Sequence, residues 1–155
     1  MTATVKIAPV HKTVHVNASQ AHAFEVFTSG LARWWPKGHG IAGRPMKAMQ
    51  LEPRLGGRWY EESEDGTQTL VGTVLTWEPP ARFIISWNID SQWKPCATIA
   101  SEVEVRFTAE GAGTRVDLEH RKFEVMGEEG GAKMRKDVDG DWPGLLELFK
   151  TTANT

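Results

Sequence analysis

Apolar and polar residues alternate along much of the chain between residues 46 and 121, a pattern typical of β-strands with one buried face. Short turn signals such as Gly56-Gly57 and Pro79-Pro80 separate the alternating runs, and connections of this length join antiparallel strands. Together with an earlier run at residues 10–16, the pattern predicts seven strands. The six later strands cover residues 46–52, 57–63, 67–78, 82–90, 101–109 and 114–121.

The alternation also assigns the two faces of the predicted sheet. One face is mainly charged, so we expect it to contact water, and the other must be covered. The charged face consists of Glu102, Glu104, Arg106, Arg115, Asp117 and Glu119. The covered face consists of Leu75, Trp77, Phe83, Ile85, Trp87, Val103, Val105, Phe107, Val116, Leu118 and His120.

Two short helices are predicted after the first strand. Asn17 or Ser19 can accept a hydrogen bond from a first-turn amide, and this helix would extend to about Thr28. The second helix is predicted over residues 31–35. A loop rich in glycine and proline follows it at residues 36–45.

The chain is predicted to end in a helix that covers the apolar face of the sheet. Glycines within residues 127–131 are expected to interrupt the chain, with a short helix at 132–138 and the last helix starting at Asp141. In the last helix, large apolar residues recur at positions i, i+3, i+4 and i+7, which predicts one buried stripe. This stripe consists of Trp142, Leu145, Leu146 and Phe149.

The composition limits the class of protein and its partners. The length suits one domain over residues 1–155, and the seven tryptophans against one tyrosine are unusual. The net charge of −2 offers no basic surface, so no nucleic-acid partner is expected. No apolar run is long enough to span a membrane, and the N-terminus lacks the apolar core of a signal peptide. Because the single cysteine also suits a reducing compartment, we expect a cytoplasmic protein that does not contact membranes.

Five short runs resemble one known family. They are Arg33-Trp34-Trp35-Pro36, Glu52-Pro53-Arg54-Leu55-Gly56-Gly57-Arg58-Trp59, Glu78-Pro79-Pro80-Ala81-Arg82-Phe83, Gly113-Thr114-Arg115-Val116-Asp117-Leu118-Glu119-His120 and Asp141-Trp142. In this order they resemble the heat-shock-protein-90 ATPase activator homologue family of the START/Bet v-like (SRPBCC) superfamily. The resemblance implies an α+β helix-grip fold. In that fold a curved antiparallel sheet of about seven strands wraps around a C-terminal helix, with an apolar cavity between them.

Neither a metal site nor a cofactor is predicted. His11 and His15 are four residues apart, but on a strand this separation is about 13 Å. No cluster of cysteines or carboxylates completes a tetrahedral set of ligands. The glycines do not have the spacing of a phosphate-binding loop, and no serine lies in a nucleophile elbow.

Two polar residues are predicted on the covered side of the sheet. His120 is either a core histidine bonded to a backbone carbonyl or to Tyr60, or a ligand-binding or catalytic group. Glu61 faces inward if its strand is regular, and there it could act as an acid or a base. An ion pair with Arg54 or Arg58 at the rim is favoured instead, because a lone buried carboxylate is costly.

The amount of indole on the covered face favours a cavity. A short closing helix with one apolar stripe would not fill that face, and Trp34-Trp35 beside the glycine-rich loop would form a portal. The predicted cavity residues are Trp35, Met49, Trp59, Glu61, Ile85, Trp87, Val103, Val105, His120, Trp142, Leu145, Leu146 and Phe149.

Binding of a small apolar or amphipathic molecule in this cavity is the favoured function, and no catalytic residue is assigned. One alternative, which the resemblance to the superfamily implies, is a cyclase- or hydrolase-like enzyme with His120 and Glu61 as acid/base partners. The other is an interaction module of the chaperone-activator kind, which would expose an apolar patch on the outer face. A homodimer is compatible with the sequence.

Overall fold

In the computed structural model, which describes residues 6–155, one antiparallel sheet contains seven strands. They are β1 (Val10–Val16), β2 (Met46–Leu51), β3 (Arg58–Ser63), β4 (Gln68–Glu78), β5 (Arg82–Trp87), β6 (Ser101–Glu110) and β7 (Gly113–Arg121). Their order is β1-β7-β6-β5-β4-β3-β2, so the strands from β2 to β7 form a meander and β1 pairs with its last member. The sheet curls around a long C-terminal helix, which confirms the predicted α+β helix-grip fold.

Two helical segments lie between β1 and β2, and two more follow β7. They are α1 (Gln20–Phe27), a 3₁₀ turn at Leu31–Arg33, a second 3₁₀ turn at Phe123–Met126 and α2 (Gly127–Ala153). Ser19 caps α1, because its hydroxyl accepts a hydrogen bond of 3.2 Å from the amide of His22. The two short helices predicted after the first strand are therefore confirmed. No helix within residues 6–155 is long and apolar enough to cross a membrane.

The C-terminal helix is longer than predicted. Because α2 is continuous over 27 residues, the expected interruption at 127–131 and the separate start at Asp141 are wrong. Gly131 serves close packing, since a Cβ there would collide with the backbone carbonyl of Phe123. Glycine inside a helix costs about 1 kcal/mol relative to alanine. The tertiary packing that buries Met134 and Val138 outweighs this cost.

The middle of α2 has low intrinsic helix stability. Pro143 lies inside the helix and has no amide to donate to the carbonyl four residues earlier. Gly140 and Gly144 flank it, and at both positions nothing lies within 4 Å of the place that a Cβ would take. Neither glycine is therefore required by close packing, and both weaken the helix.

The predicted apolar stripe of the last helix is buried. Its four residues are each at most 4% exposed. The ring of Phe149 lies 4.8 Å from that of Phe27 in α1, and the ring of Trp142 lies 6.1 Å from that of Trp87 in β5. The helix thus covers the inner face of the sheet, as predicted.

One predicted face assignment is wrong. The pairing of β4 with β5 shifts between Val74 and Thr76, which inserts an extra residue into β4. As a result Val74 is 2% exposed, whereas Leu75 is 45% exposed. After this bulge the alternation resumes, and the ring of Trp77 lies 5.0 Å from that of Phe24.

Candidate functional site

A pocket of about 250 Å³ lies between strands β2–β5, the loop before β2 and the middle of α2. Four neighbouring strands each place one side chain in its wall, because residues on the same face of a curved sheet converge. These side chains are Met49, Trp59, Val71 and Trp87. The rest of the wall consists of Trp35, residues 38–41, Ile89, Trp93 and Asp141.

The pocket reaches solvent beside His39 and Asp141. Their side chains are 30% and 40% exposed, and the distance between His39 Nε2 and Asp141 Oδ2 is 3.8 Å. This distance is too long for a hydrogen bond. Within residues 6–155, no group of three or more His, Cys, Asp or Glu side chains could hold a metal ion.

Five aromatic rings form a closed circuit around the pocket. The ring centroids of Trp35 and Trp59 are 5.8 Å apart, those of Trp59 and Trp87 are 5.5 Å apart, and those of Trp87 and Trp93 are 6.0 Å apart. His39 completes the circuit at 6.4 Å from Trp93 and 5.6 Å from Trp35. The angles between neighbouring ring planes run from 61° to 82°, an edge-to-face arrangement that aromatic pairs prefer.

Glu61 holds the glycine-rich loop that forms one side of the pocket. Its side chain is buried, and Oε1 accepts hydrogen bonds from the amides of Ile41 at 2.6 Å and Ala42 at 3.2 Å. The loop passes so close to this carboxylate that a Cβ on Gly40 would lie 2.6 Å from Oε1. Glu61 therefore fixes the position of the loop that forms this wall. Glu61 itself is not among the residues that line the pocket.

The ion pair predicted for Glu61 at the rim is wrong. Both of the arginines considered for it pair with Glu52 instead, Arg54 at 3.5 Å and Arg58 at 3.1 Å. The reason is the pleat of β3, in which Arg58 is exposed whereas Glu61 is 1% exposed. Backbone amides of the loop satisfy the buried carboxylate in place of a cation.

Indole N–H groups fix two of the aromatic walls. Trp35 Nε1 donates to the carbonyl of His39 at 2.8 Å, which ties the loop to the ring that it covers. Trp93 Nε1 donates to Asp137 Oδ2 at 2.9 Å, which ties the connection after β5 to α2. These two hydrogen bonds therefore fix the conformation of the loop before β2 and of the connection after β5.

His120 is a neutral core residue outside the pocket. Its side chain is 0% exposed, and burial lowers its pKa to about 3. Nδ1 accepts a hydrogen bond of 3.2 Å from Trp142 Nε1, so the proton of the neutral ring lies on Nε2 and is donated to Ser101 Oγ at 2.9 Å. The predicted partners, a backbone carbonyl or Tyr60, are wrong because Ser101 and α2 supply side-chain partners instead.

The predicted cavity residues fall into three groups. Trp35, Met49, Trp59 and Trp87 line the pocket. Ile85, Val103 and Trp142 adjoin a separate void of about 10 Å³, which is at the lower limit for a single water molecule. Those in the third group are buried without lining the pocket: Glu61, Val105, His120, Leu145, Leu146 and Phe149.

Several pocket residues were not predicted. His39 and Ile41 lie in the glycine-rich loop, which the sequence marks only as a portal beside Trp35. Trp93 lies in the long connection between β5 and β6, and a tryptophan in such a loop is itself a signal of partial burial. Asp141 is predicted at the start of the last helix, but it lies inside α2 and faces the pocket opening.

The chain matches a known family over most of its length. A family model described as "Activator of Hsp90 ATPase homolog 1-like protein" matches residues 17–154. No curated protein sequence matches the chain significantly.

Solved structures of similar proteins share this architecture. A protein described as an anthrahydroquino-γ-pyrone synthase, Txn09, complexed with SUM, is 41% identical, with a TM-score of 0.65 over 94% of this chain and 97% of that chain. The self-sacrificing resistance protein CalC from Micromonospora echinospora is 30% identical, with a TM-score of 0.65 over 94% and 93%. The Aha1 dimer from Colwellia psychrerythraea is 13% identical, with a TM-score of 0.64 over 96% and 97%, and supports the fold alone.

Proposed function

Since the chain belongs to the family of activator of Hsp90 ATPase homolog 1-like proteins, we propose that it binds a small apolar or amphipathic molecule in the pocket between the sheet and α2. The observation that carries this proposal is the composition of the pocket wall. Four indoles and four aliphatic side chains form most of the wall, and the polar side chains His39 and Asp141 lie at its opening. Apolar walls with a few polar groups are typical of small-molecule sites.

The size of the pocket restricts the ligand. Its volume of about 250 Å³ is below the usual range of about 300–1,000 Å³ for drug-sized ligands. We therefore propose either a small ligand or one end of a larger molecule that extends past His39 and Asp141. The synthase and the resistance protein described above support a small-molecule function, since the first is described as a synthase in a complex and the second as a resistance protein.

Catalysis is a second candidate function, which the 41% identity to a synthase favours. The acid/base partners considered from the sequence do not suit it, because His120 is bonded to two core side chains and Glu61 to two loop amides. In an enzyme, the titratable groups in contact with substrate would instead be His39 and Asp141.

A chaperone-interaction module has less support. The outer face of the sheet is occupied by ion pairs, including contacts of Arg121 with Glu102, Glu104 and Glu119. Charged pairs of this kind do not form the apolar patch that a docking surface would need. Cytoplasmic location and a homodimer stay predictions, the latter with the Aha1 dimer as a fold relative only.

Binding of a neutral fluorescent probe tests the proposed function. The purified protein should bind N-phenyl-1-naphthylamine saturably at one site per chain. Ile41→Trp should fill the pocket opening and weaken this binding at least tenfold. Leu148→Trp, on the exposed side of α2, is the matched control and should bind as the unmodified chain does.

Two results would contradict the proposal. One is the absence of saturable binding. The other is binding that Ile41→Trp leaves unchanged, because the probe would then bind elsewhere. Native mass spectrometry of the purified protein adds an independent measurement, since a co-purified small molecule would appear as a mass shift of the folded chain.

A further inference from the structure

The aromatic circuit around the pocket has the geometry of a box. Its five rings are steeply inclined to their neighbours, at 61° to 82°, with centroids 5.5 to 6.4 Å apart. All five residues line the pocket, so the space that their rings surround is the pocket itself. A cation placed within about 6 Å of an indole centroid, over its face, is attracted by the negative potential of that face.

The charge at the pocket opening is negative. Asp141 lines the opening, and its nearest cationic partner is His39 at 3.8 Å, which is charged only when protonated. Among the described residues that line the pocket, none is lysine or arginine. The Asp141 carboxylate therefore has no permanent positive charge beside it within the pocket.

A second carboxylate affects one of the walls. Asp137, one turn earlier on α2, accepts the N–H of Trp93 at 2.9 Å and pairs with Lys133 at 3.0 Å. Lys133 balances the charge of Asp137, so Asp141 remains the uncompensated one. An indole that donates its N–H to an anion holds more electron density in its ring, which strengthens attraction of a cation to the face of Trp93.

From these observations we propose that the pocket recognises an organic cation: the ligand carries an alkylated ammonium group that lies among the indoles and close to Asp141. This inference rests on the proposed binding function and adds the chemical class of the ligand. A primary ammonium is compact and strongly hydrated, so moving it into an indole-lined pocket costs solvation that Asp141 alone would not restore. Methyl groups on the nitrogen spread its charge and contact the apolar walls, so a tertiary or quaternary ammonium fits this pocket better.

A pair of ligands with the same shape and different charge tests the inference. Benzyltrimethylammonium has a quaternary nitrogen where neopentylbenzene has a carbon atom. Each is titrated against the protein loaded with N-phenyl-1-naphthylamine, and displacement of the probe gives its affinity. The cation should bind about 3- to 30-fold more tightly than its neutral analogue, a range that covers cation–π attraction from exposed to desolvated sites.

Two charge variants on the same helix separate the effect of Asp141 from net charge. Asp141→Asn should reduce the affinity for the cation at least threefold more than it changes the affinity for neopentylbenzene. Glu147→Gln removes the same charge six residues further along α2, outside the pocket, and should change neither affinity. Asp141→Glu keeps the carboxylate and should retain the preference for the cation.

The possible outcomes distinguish this inference from the proposed function. Equal or weaker binding of the cation would overturn the inference while the bound probe upholds the pocket as an apolar site. An equal loss of affinity for both ligands in Asp141→Asn would also overturn the inference, since the variant would then have changed the shape of the pocket. Failure of the probe itself to bind would overturn the proposed function and the inference together.

Discussion

Acidification should destabilise the protein through His120. In the folded chain burial holds the pKa of His120 at about 3, whereas the ordinary value is 6.5. The unfolded chain therefore takes up a proton on this ring as the pH falls below 6.5, and the folded chain does not. Stability contributed by the neutral ring is present above pH 6.5 and is lost as the pH falls from there toward 3.

The expected loss follows from the linkage between protonation and folding. Each pH unit between the two pKa values costs about 1.4 kcal/mol, so the free energy of unfolding should fall by about 2 kcal/mol between pH 7.5 and 5.0. Over this interval the carboxyl groups contribute little, because their unfolded pKa values are near 4. A loss of this size is a large part of the stability of a typical domain.

Urea unfolding at several pH values, followed by tryptophan fluorescence, measures this loss. His120→Gln keeps a donor for Ser101 and an acceptor for Trp142 but does not titrate, so its free energy of unfolding should be nearly constant from pH 7.5 to 5.0. His15→Gln removes an exposed histidine and should keep the pH dependence of the unmodified chain. Equal pH dependence in the unmodified chain and His120→Gln would refute the burial of a neutral His120.

Two further predictions concern packing and the pocket wall. Phe149→Ala should lower the free energy of unfolding by about 3–5 kcal/mol. Leu148→Ala, at the exposed neighbouring position, should lower it by less than about 0.5 kcal/mol. Similar losses for both variants in urea unfolding would contradict the assigned orientation of α2. Glu61→Leu leaves two loop amides without their acceptor and should cost about 1–3 kcal/mol and weaken probe binding, whereas Glu62→Leu on the other face of β3 should leave binding intact. Unchanged probe affinity in Glu61→Leu would mean that the loop does not depend on this carboxylate.

Most of the fold was predictable because the strands have one wet and one covered face. Period-two alternation survives in such strands, and it identified all seven. The pattern failed where an extra residue shifts the register, as at Leu75 in β4. The pattern also failed at the start of α2. Gly131 is required there by the nearby carbonyl of Phe123, and the local sequence gives no sign of such a contact.

The site was predictable in its strand-borne part and at Trp35. Trp59 and Trp87 follow from the alternation, since strand geometry fixes the face on which they lie. The positions of His39 and Trp93 depend on loop conformation, which is set by hydrogen bonds between residues distant in sequence. Glu61 holds a loop 20 residues away, and Trp93 is bonded to a residue 44 positions later. The part of the pocket that loops form is therefore the part that periodic sequence patterns do not predict.

The weak stretch of α2 around Pro143 has a consequence for the kinetics of ligand exchange. It carries Asp141 at the pocket opening, while both flanking parts of the helix are anchored by buried side chains. The segment between the buried side chains of Val138 and Trp142 can therefore unwind locally and widen the entrance while both side chains stay packed. Alanine at Gly140 and Gly144, where a Cβ meets open space, should stiffen the helix. Ligand entry and exit should then slow by the same factor, with the equilibrium affinity unchanged.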